Sequence, residues 1–135
     1  MQSAPFLVVC PASVVMHWED EIKKYFPPSL LRPVRFASNM PAATAAAALK
    51  DGATVMVVSY ELMRRDVTSG PRSVLKTTLW ETVVLDEAHL IKNPMAGITK
   101  AACSLQSLHR IALTGTPVQN QVRHSVERSL LICVD

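Results

Sequence analysis

Three apolar β-formers, Val83-Val84-Leu85, run directly into two adjacent carboxylates, Asp86 and Glu87. No other feature constrains the chain as tightly. An unbroken Val/Leu run fits a strand covered on both faces, as in a parallel sheet flanked by helices. A buried strand that ends in two acids must also supply a metal or a polar partner, because unpaired charge is costly away from water.

Similar apolar runs recur along the chain with helical patterns between them, which implies repeated βα units. Phe6-Leu7-Val8-Val9-Cys10 is the first strand, stopped by Pro11. Ser13 is placed to cap a helix that carries Val14, Trp18, Ile22 and Tyr25 on one face, and Pro27-Pro28 ends it. Val34 to Ala37 reads as a second strand. Pro41 opens an alanine-rich helix that Asp51-Gly52 closes. Thr54 to Ser59 is a third strand, followed by a short helix through Leu62 and Val67 and a loop at Thr68-Ser69-Gly70-Pro71. Thr82 to Asp86 is the fourth strand. Ile98, Ala101, Ala102, Leu105 and Leu108 repeat at helical spacing, Arg110 to Thr114 is the fifth strand, and Val122, Val126 and Leu130 suggest a last helix. The expected fold is therefore a three-layer α/β domain. Ligand sites in such sheets lie outside the carboxyl ends of the strands. Here those ends are Pro11-Ala12-Ser13, Ser59-Tyr60, Asp86-Glu87 and Thr114-Gly115-Thr116.

Composition removes several function classes. A chain of 135 residues that is 49% apolar has the material for a core, so it is neither a disordered tail nor a disulfide-stapled miniature. Cys10, Cys103 and Cys133 are scattered, and the four histidines lack ligand spacing, so no zinc motif or disulfide framework is indicated. No apolar run is long enough to span a membrane, and the N-terminus lacks the pattern of a signal peptide. A formal charge of +3 permits nucleic-acid binding without arguing for it.

Three blocks, taken in order, carry a family resemblance. Leu7 through Trp18 resembles motif Ia of the SWI/SNF-type DNA translocases, a branch of helicase superfamily two. Val83 through Pro94 resembles motif II, a DEAH box (Asp86-Glu87-Ala88-His89) with a Lys92-Asn93 tail. Ala112 through Asn120 resembles motif III in its Thr-Gly-Thr-Pro form, where RNA helicases of the superfamily usually have a Ser/Thr-Ala-Thr triplet. Val58-Ser59-Tyr60-Glu61 also stands where the family has a Thr/Ser-Tyr after a strand.

The resemblance implies that residues 1–135 form part of a RecA-like (P-loop NTPase) first lobe with a mostly parallel sheet, truncated on its N-terminal side. It further implies ATP and Mg²⁺ as cofactors. Asp86 would hold Mg²⁺ through water, and Glu87 would act on the attacking water. His89, Thr114, Gly115, Thr116 and Gln119 would couple hydrolysis to movement, while Pro11, Ala12, Ser13, Lys92 and Asn93 would face DNA. The implied partners are duplex DNA, nucleosomes and a second RecA-like lobe, the implied compartment is the nucleus, and the implied role is remodelling of chromatin or DNA repair.

Blander readings stay open beside these. Asp86 and Glu87 could cap a helix N-terminus. His89 could be a surface histidine, Thr114-Gly115-Thr116 an ordinary turn, and Lys92-Asn93 a loop fixture. Pro11 to Ser13 fits a strand stop and cap as well as a phosphate contact. Trp18 reads as core rather than a base-stacking platform, and Lys23-Lys24 and Arg64-Arg65 as solvated faces.

None of the glycines, at 52, 70, 97 and 115, belongs to a Gly-x-x-x-x-Gly-Lys-Ser/Thr phosphate loop. Without that loop and the arginine finger of a second lobe, this chain by itself is expected not to turn over ATP. Loss of the first βα unit should also leave one flank of the sheet open to non-native pairing. The alternatives are a non-catalytic module that binds DNA or protein, and, with less support, an RNA helicase lobe.

Overall fold

The computed structural model describes residues 3–114 and the backbone of 129–133. Among the described residues six strands form one sheet: β1 (Phe6–Cys10), β2 (Arg32–Arg35), β3 (Thr54–Ser59), β4 (Leu79–Leu85), β5 (Gln106–Thr114) and β6 (Ser129–Cys133). Their order across the sheet is β2-β3-β1-β4-β5-β6, and every ladder is parallel. The connections carry α1 (Val15–Tyr25), α2 (Ala42–Leu49), α3 (Tyr60–Val67), α4 (Val74–Thr77) and α5 (Gly97–Ser104). The expected α/β architecture of the RecA-like kind is thus present.

Central strands β1 and β3 are buried along almost their whole length, which explains their uninterrupted apolar sequences. One cluster includes Leu7, Val9, Met56, Val58, Met63, Leu75, Trp80 and Val83. On the other face Val8, Cys10, Val15, Ile22, Val55 and Val57 pack together, with Trp18 and Val84 alongside. Alternation along β1 thereby feeds two cores, one on each side of the sheet. Among the described residues no helix is long and apolar enough to cross a membrane.

Several elements differ from the sequence expectations, each for a physical reason. Strand β2 begins at Arg32 and includes Pro33. It is an edge strand, and the Arg32 and Phe36 amides donate to the Ala53 and Val57 carbonyls, so the nitrogen of Pro33 faces away from the ladder. Ser13 does not cap α1: it is exposed in a 3₁₀ turn, Ala12–Val14, and α1 has no side-chain cap. Tyr25 leaves the apolar face and stands 66% exposed, its ring centroid 5.2 Å from the Lys24 ammonium.

Helix α5 stops at Ser104 rather than continuing through Leu108, because β5 already starts at Gln106 beside Leu79. The Arg110 guanidinium secures that stop, donating to the Ala102 carbonyl at 2.8 Å and to that of Leu105, both at the helix end. Burial holds its pKa below the usual guanidinium value, although it stays charged.

After the loop expected at 68–71 comes a helix the sequence reading missed, α4. Asp66 accepts from the Ser73 hydroxyl at 2.6 Å and the Leu75 amide at 3.0 Å, and Ser73 in turn caps α4 through the Lys76 amide. The proposed last helix is not supported at its final position, since Leu130 lies in β6; Val122 and Val126 lie outside the described residues. β6 pairs along β5 from Arg110 to Thr114, which makes β2 and β6 the outer strands of the sheet.

Candidate nucleotide-hydrolysis site

Parallel register brings the strand ends together. Cys10 is level with Ser59, Val9 with Leu85, and Leu85 with Ala112. Pro11, Tyr60, Asp86 and Thr114 therefore emerge at one edge of the sheet. The Asp86 amide donates to the Val9 carbonyl at 2.8 Å, which extends the β1–β4 ladder to the acid itself.

Asp86 is half-buried and held on three sides. Its Oδ1 accepts from the Glu87 amide at 2.9 Å, and its Oδ2 accepts from the Trp18 indole Nε1–H at 2.9 Å. Its main-chain carbonyl accepts from the Tyr60 hydroxyl at 2.6 Å. Tyr60 is placed by the Ser59 side chain, which caps α3 by accepting from the Leu62 amide at 3.2 Å. Burial, followed by the nearby Asp86 charge, pushes the Tyr60 phenol well above its ordinary pKa, so this hydroxyl stays a donor.

Cys10, at the end of β1, is fully buried, its thiol donating to the Val58 carbonyl at 3.8 Å. Burial first and the Asp86 charge second raise its pKa from 9.0 to about 12. A thiol so held is neutral and poorly nucleophilic near neutrality. Iodoacetamide at pH 8 is expected to alkylate exposed Cys103 and leave Cys10 untouched, as read by peptide mass mapping. Rapid alkylation of Cys10 in the folded chain would mean that the end of β1 is open to solvent.

Glu87 adopts φ 50°, ψ 51°, the single positive φ on a non-glycine among the described residues. A left-handed residue costs roughly 1–2 kcal/mol outside glycine, and such strain gathers where a side chain must be aimed. Here it turns the chain from β4 into the 3₁₀ turn Ala88–Ile91, while the Glu87 side chain remains 45% exposed. His89 Nδ1 lies 3.2 Å from Glu87 Oε2 but without hydrogen-bond geometry, and that buried nitrogen has no other partner among the described residues. Helix capping by the two acids is not what the structure shows. Asp86 is spent on Trp18 and on its neighbour's amide, and the Glu87 side chain makes no cap.

Of the other candidates, Pro11 is half-buried, while Ala12 and Ser13 are exposed on the turn leading into α1. Lys92 and Asn93 are exposed as well, and Asn93 Oδ1 accepts from the Met95 amide at 2.9 Å, which fixes the loop. Thr114 is buried at the end of β5. Gly115, Thr116 and Gln119 lie outside the described residues.

Among the described residues no cluster of three or more His, Cys, Asp or Glu side chains could hold a metal. The acids fit a cation that keeps most of its own water and takes its remaining ligands from phosphates, which is the habit of Mg²⁺. Trp18 and Tyr60 had no assigned role at the site in the sequence reading. The available signal was chemical: a packed indole or phenol needs an acceptor, and the acids at the strand ends supply one.

A model of the SNF2-related domain family matches residues 1–134. The TATA-binding protein-associated factor mot1 of Aspergillus fumigatus is 38% identical over 122 residues, covering 90% of this chain and 6% of that protein. The chromodomain-helicase-DNA-binding protein 1-like of Mus musculus is 33% identical over 132 residues, covering 96% of this chain and 14% of that protein. Among solved structures, the Sulfolobus solfataricus SWI2/SNF2 ATPase core in complex with dsDNA superposes with a TM-score of 0.69 at 39% identity. That match covers 88% of this chain and 23% of the other. The chain thus spans a small part of the length of the relatives it matches.

Proposed function

Because the chain belongs to the SNF2-related domain family, we propose that it is the part of an ATP-driven DNA translocase that carries the hydrolytic acids. The observation that supports this most directly is the pairing, at the end of a buried strand, of an Asp86 carboxylate held by two hydrogen bonds with a Glu87 carboxylate that makes no hydrogen bond among the described residues. One carboxylate is oriented by fixed donors, as suits a group that must meet a cation at a set angle. The other projects from a left-handed turn toward solvent, as suits a group that must reach a water and accept its proton.

Asp86 would face Mg²⁺ through water, and Glu87 would orient and deprotonate the attacking water. When bound, Mg²⁺ neutralises charge on the phosphate oxygens of ATP. Tyr60 fixes the backbone at Asp86 through its hydroxyl. His89, beside Glu87, and Thr114, at the neighbouring strand end, stand where a change at the phosphates would be felt. Gly115, Thr116 and Gln119, which lie outside the described residues, would share that coupling role, and a second RecA-like lobe would complete the site.

The Pro11-Ala12-Ser13 turn, exposed at Ala12 and Ser13, and the exposed Lys92-Asn93 loop are the surfaces proposed to meet duplex DNA. Contacts of this kind track phosphates rather than bases, so binding should weaken steeply with salt and depend little on sequence. Nucleosomes as substrate, a nuclear location and a role in transcription, chromatin remodelling or repair extend the same proposal.

The test compares two polypeptides. This chain alone, with residues 1–135 taken as a partial first lobe lacking the phosphate loop, is expected to hydrolyse ATP negligibly. The native polypeptide captured through this segment is expected to be several-fold larger, to contain a Gly-Lys-Thr or Gly-Lys-Ser loop by mass spectrometry, and to hydrolyse ATP in a duplex-DNA-stimulated manner. Turnover by the chain alone would defeat the assignment of the phosphate loop elsewhere. A native product of only this length, inactive but retained on DNA, would favour the binding module instead. Stronger stimulation by RNA than by duplex DNA would point to an RNA helicase.

A further inference from the structure

The indole of Trp18 packs against one face of the sheet beside Val8, Val15 and Ile22, yet its Nε1–H reaches out of that cluster to Asp86 Oδ2 at 2.9 Å. A tryptophan that served packing alone could have satisfied its N–H with a main-chain carbonyl. Trp80 does so, donating to the Leu75 carbonyl at 3.0 Å. Trp18 instead spends its donor on the one carboxylate that ends the central β4 strand. Oδ1 is already engaged by the Glu87 amide, and the Asp86 carbonyl by Tyr60. The indole bond is therefore the remaining restraint that sets the plane of the carboxylate, and it leaves each oxygen a lone pair for a further ligand.

We infer that Trp18 is a positioning residue for Asp86, its indole N–H holding the carboxylate in the orientation needed to meet water-bound Mg²⁺. This rests on the ATPase function proposed above, in which Asp86 is the acid that faces the cation. A hydrogen bond to an ionised acceptor is short and directional, and the indole is locked by the packing of α1 on the sheet, so the orientation is set before any ligand arrives. Outer partners that orient a metal-facing group commonly matter 10–100-fold in metal affinity or activity.

Two readouts test it. In the ¹⁵N-labelled 135-residue chain, the two indole N–H resonances belong to Trp18 and Trp80, and Trp80 serves as the internal control. Asp86→Ala is expected to move the Trp18 resonance upfield and leave that of Trp80 in place, with Asp86→Asn giving a smaller shift in the same direction. A Trp18 resonance that neither change moves overturns the hydrogen bond and the role built on it.

In the native polypeptide that carries this chain, Trp18 is replaced by its benzothiophene isostere, which keeps both rings and removes only the N–H. The Mg²⁺ concentration giving half-maximal ATP turnover is expected to rise about 10-fold or more, with the half-saturating DNA concentration unchanged and the melting temperature lowered by no more than the loss of one hydrogen bond. Trp18→His, which restores a ring N–H donor, is expected to recover part of the Mg²⁺ response, whereas Trp18→Phe is not. An unaltered Mg²⁺ dependence in the isostere, in an enzyme still silenced by Glu87→Gln, overturns the positioning role and leaves the ATPase function standing. A wild-type polypeptide that does not hydrolyse ATP, or whose turnover survives Glu87→Gln, overturns the ATPase function and the role of Trp18 with it.

Discussion

Changing Glu87 to glutamine in the native polypeptide is expected to lower ATP turnover by about 10²–10⁴-fold, the usual worth of a positioned general base. Glutamine keeps the shape of the side chain and one oxygen acceptor but cannot take a proton. The structure separates this loss from any damage to folding. The Glu87 side chain is 45% exposed, and His89 Nδ1 lies 3.2 Å from its Oε2 without hydrogen-bond geometry. An exposed substitution of this kind usually changes stability by no more than about 0.5 kcal/mol. Steady-state hydrolysis with and without duplex DNA, alongside a thermal melt, checks both halves. Undiminished turnover would remove Glu87 from the chemistry, and a melt that collapsed with the activity would make the loss structural.

The largest effect on stability should come from a tryptophan far from the acids. Trp80 is completely buried near the start of β4, within the larger core cluster that holds Leu75 and Met63. Trp80→Ala is expected to destabilise the chain by about 3–5 kcal/mol, combining lost transfer energy with a cavity that rigid neighbours cannot fill. The same change frees the Leu75 carbonyl, which now accepts the indole N–H. Against a typical total stability of roughly 5–15 kcal/mol, that leaves a chain folded only marginally. Trp80→Phe separates the terms, since it fills much of the space and gives up the hydrogen bond, worth about 1 kcal/mol net. Urea denaturation of the three proteins would decide. A cost near 1 kcal/mol for the alanine change would mean that the core closes around the gap.

The strands legible in the sequence were those buried on both faces. β1 and β3 begin and end where their apolar runs do, because a central parallel strand has no solvent face to interrupt the pattern. β4 and β5 start earlier than expected, at Leu79 and Gln106, where polar residues such as Glu81 and His109 break the run although the pairing continues. The Glu81 amide still donates to the Pro5 carbonyl at 2.8 Å. Pairing of this sort is a matter of backbone position, which hydrophobic periodicity does not encode. The missed α4 is a single turn fixed by Asp66 and Ser73, too short to show a helical period.

At the site, the acids declared themselves because a carboxylate pair closing an apolar strand is conspicuous in one dimension. Trp18 did not, because its bond to Asp86 joins residues 68 apart in the chain. That bond depends on α1 crossing the face of the sheet, and the apolar face that Trp18 shares with Val14 and Ile22 gave a sufficient local reason for it to be there. The left-handed backbone of Glu87 was equally hidden, since nothing in a glutamate marks it for that conformation.

The strand order also dictates a sequence of events in time. β1 is the first of the described strands to be synthesised, yet it lies between β3 and β4, with Phe6 level with Val55 on one side and Thr82 on the other. Neither edge of β1 can find its permanent neighbour until much of the chain has left the ribosome. Such distant pairings fold slowly, because loop closure is charged before any contact repays it. Through that interval the segment Phe6–Cys10 is a bare, wholly apolar strand, and in the cell it is the stretch a chaperone would have to shield.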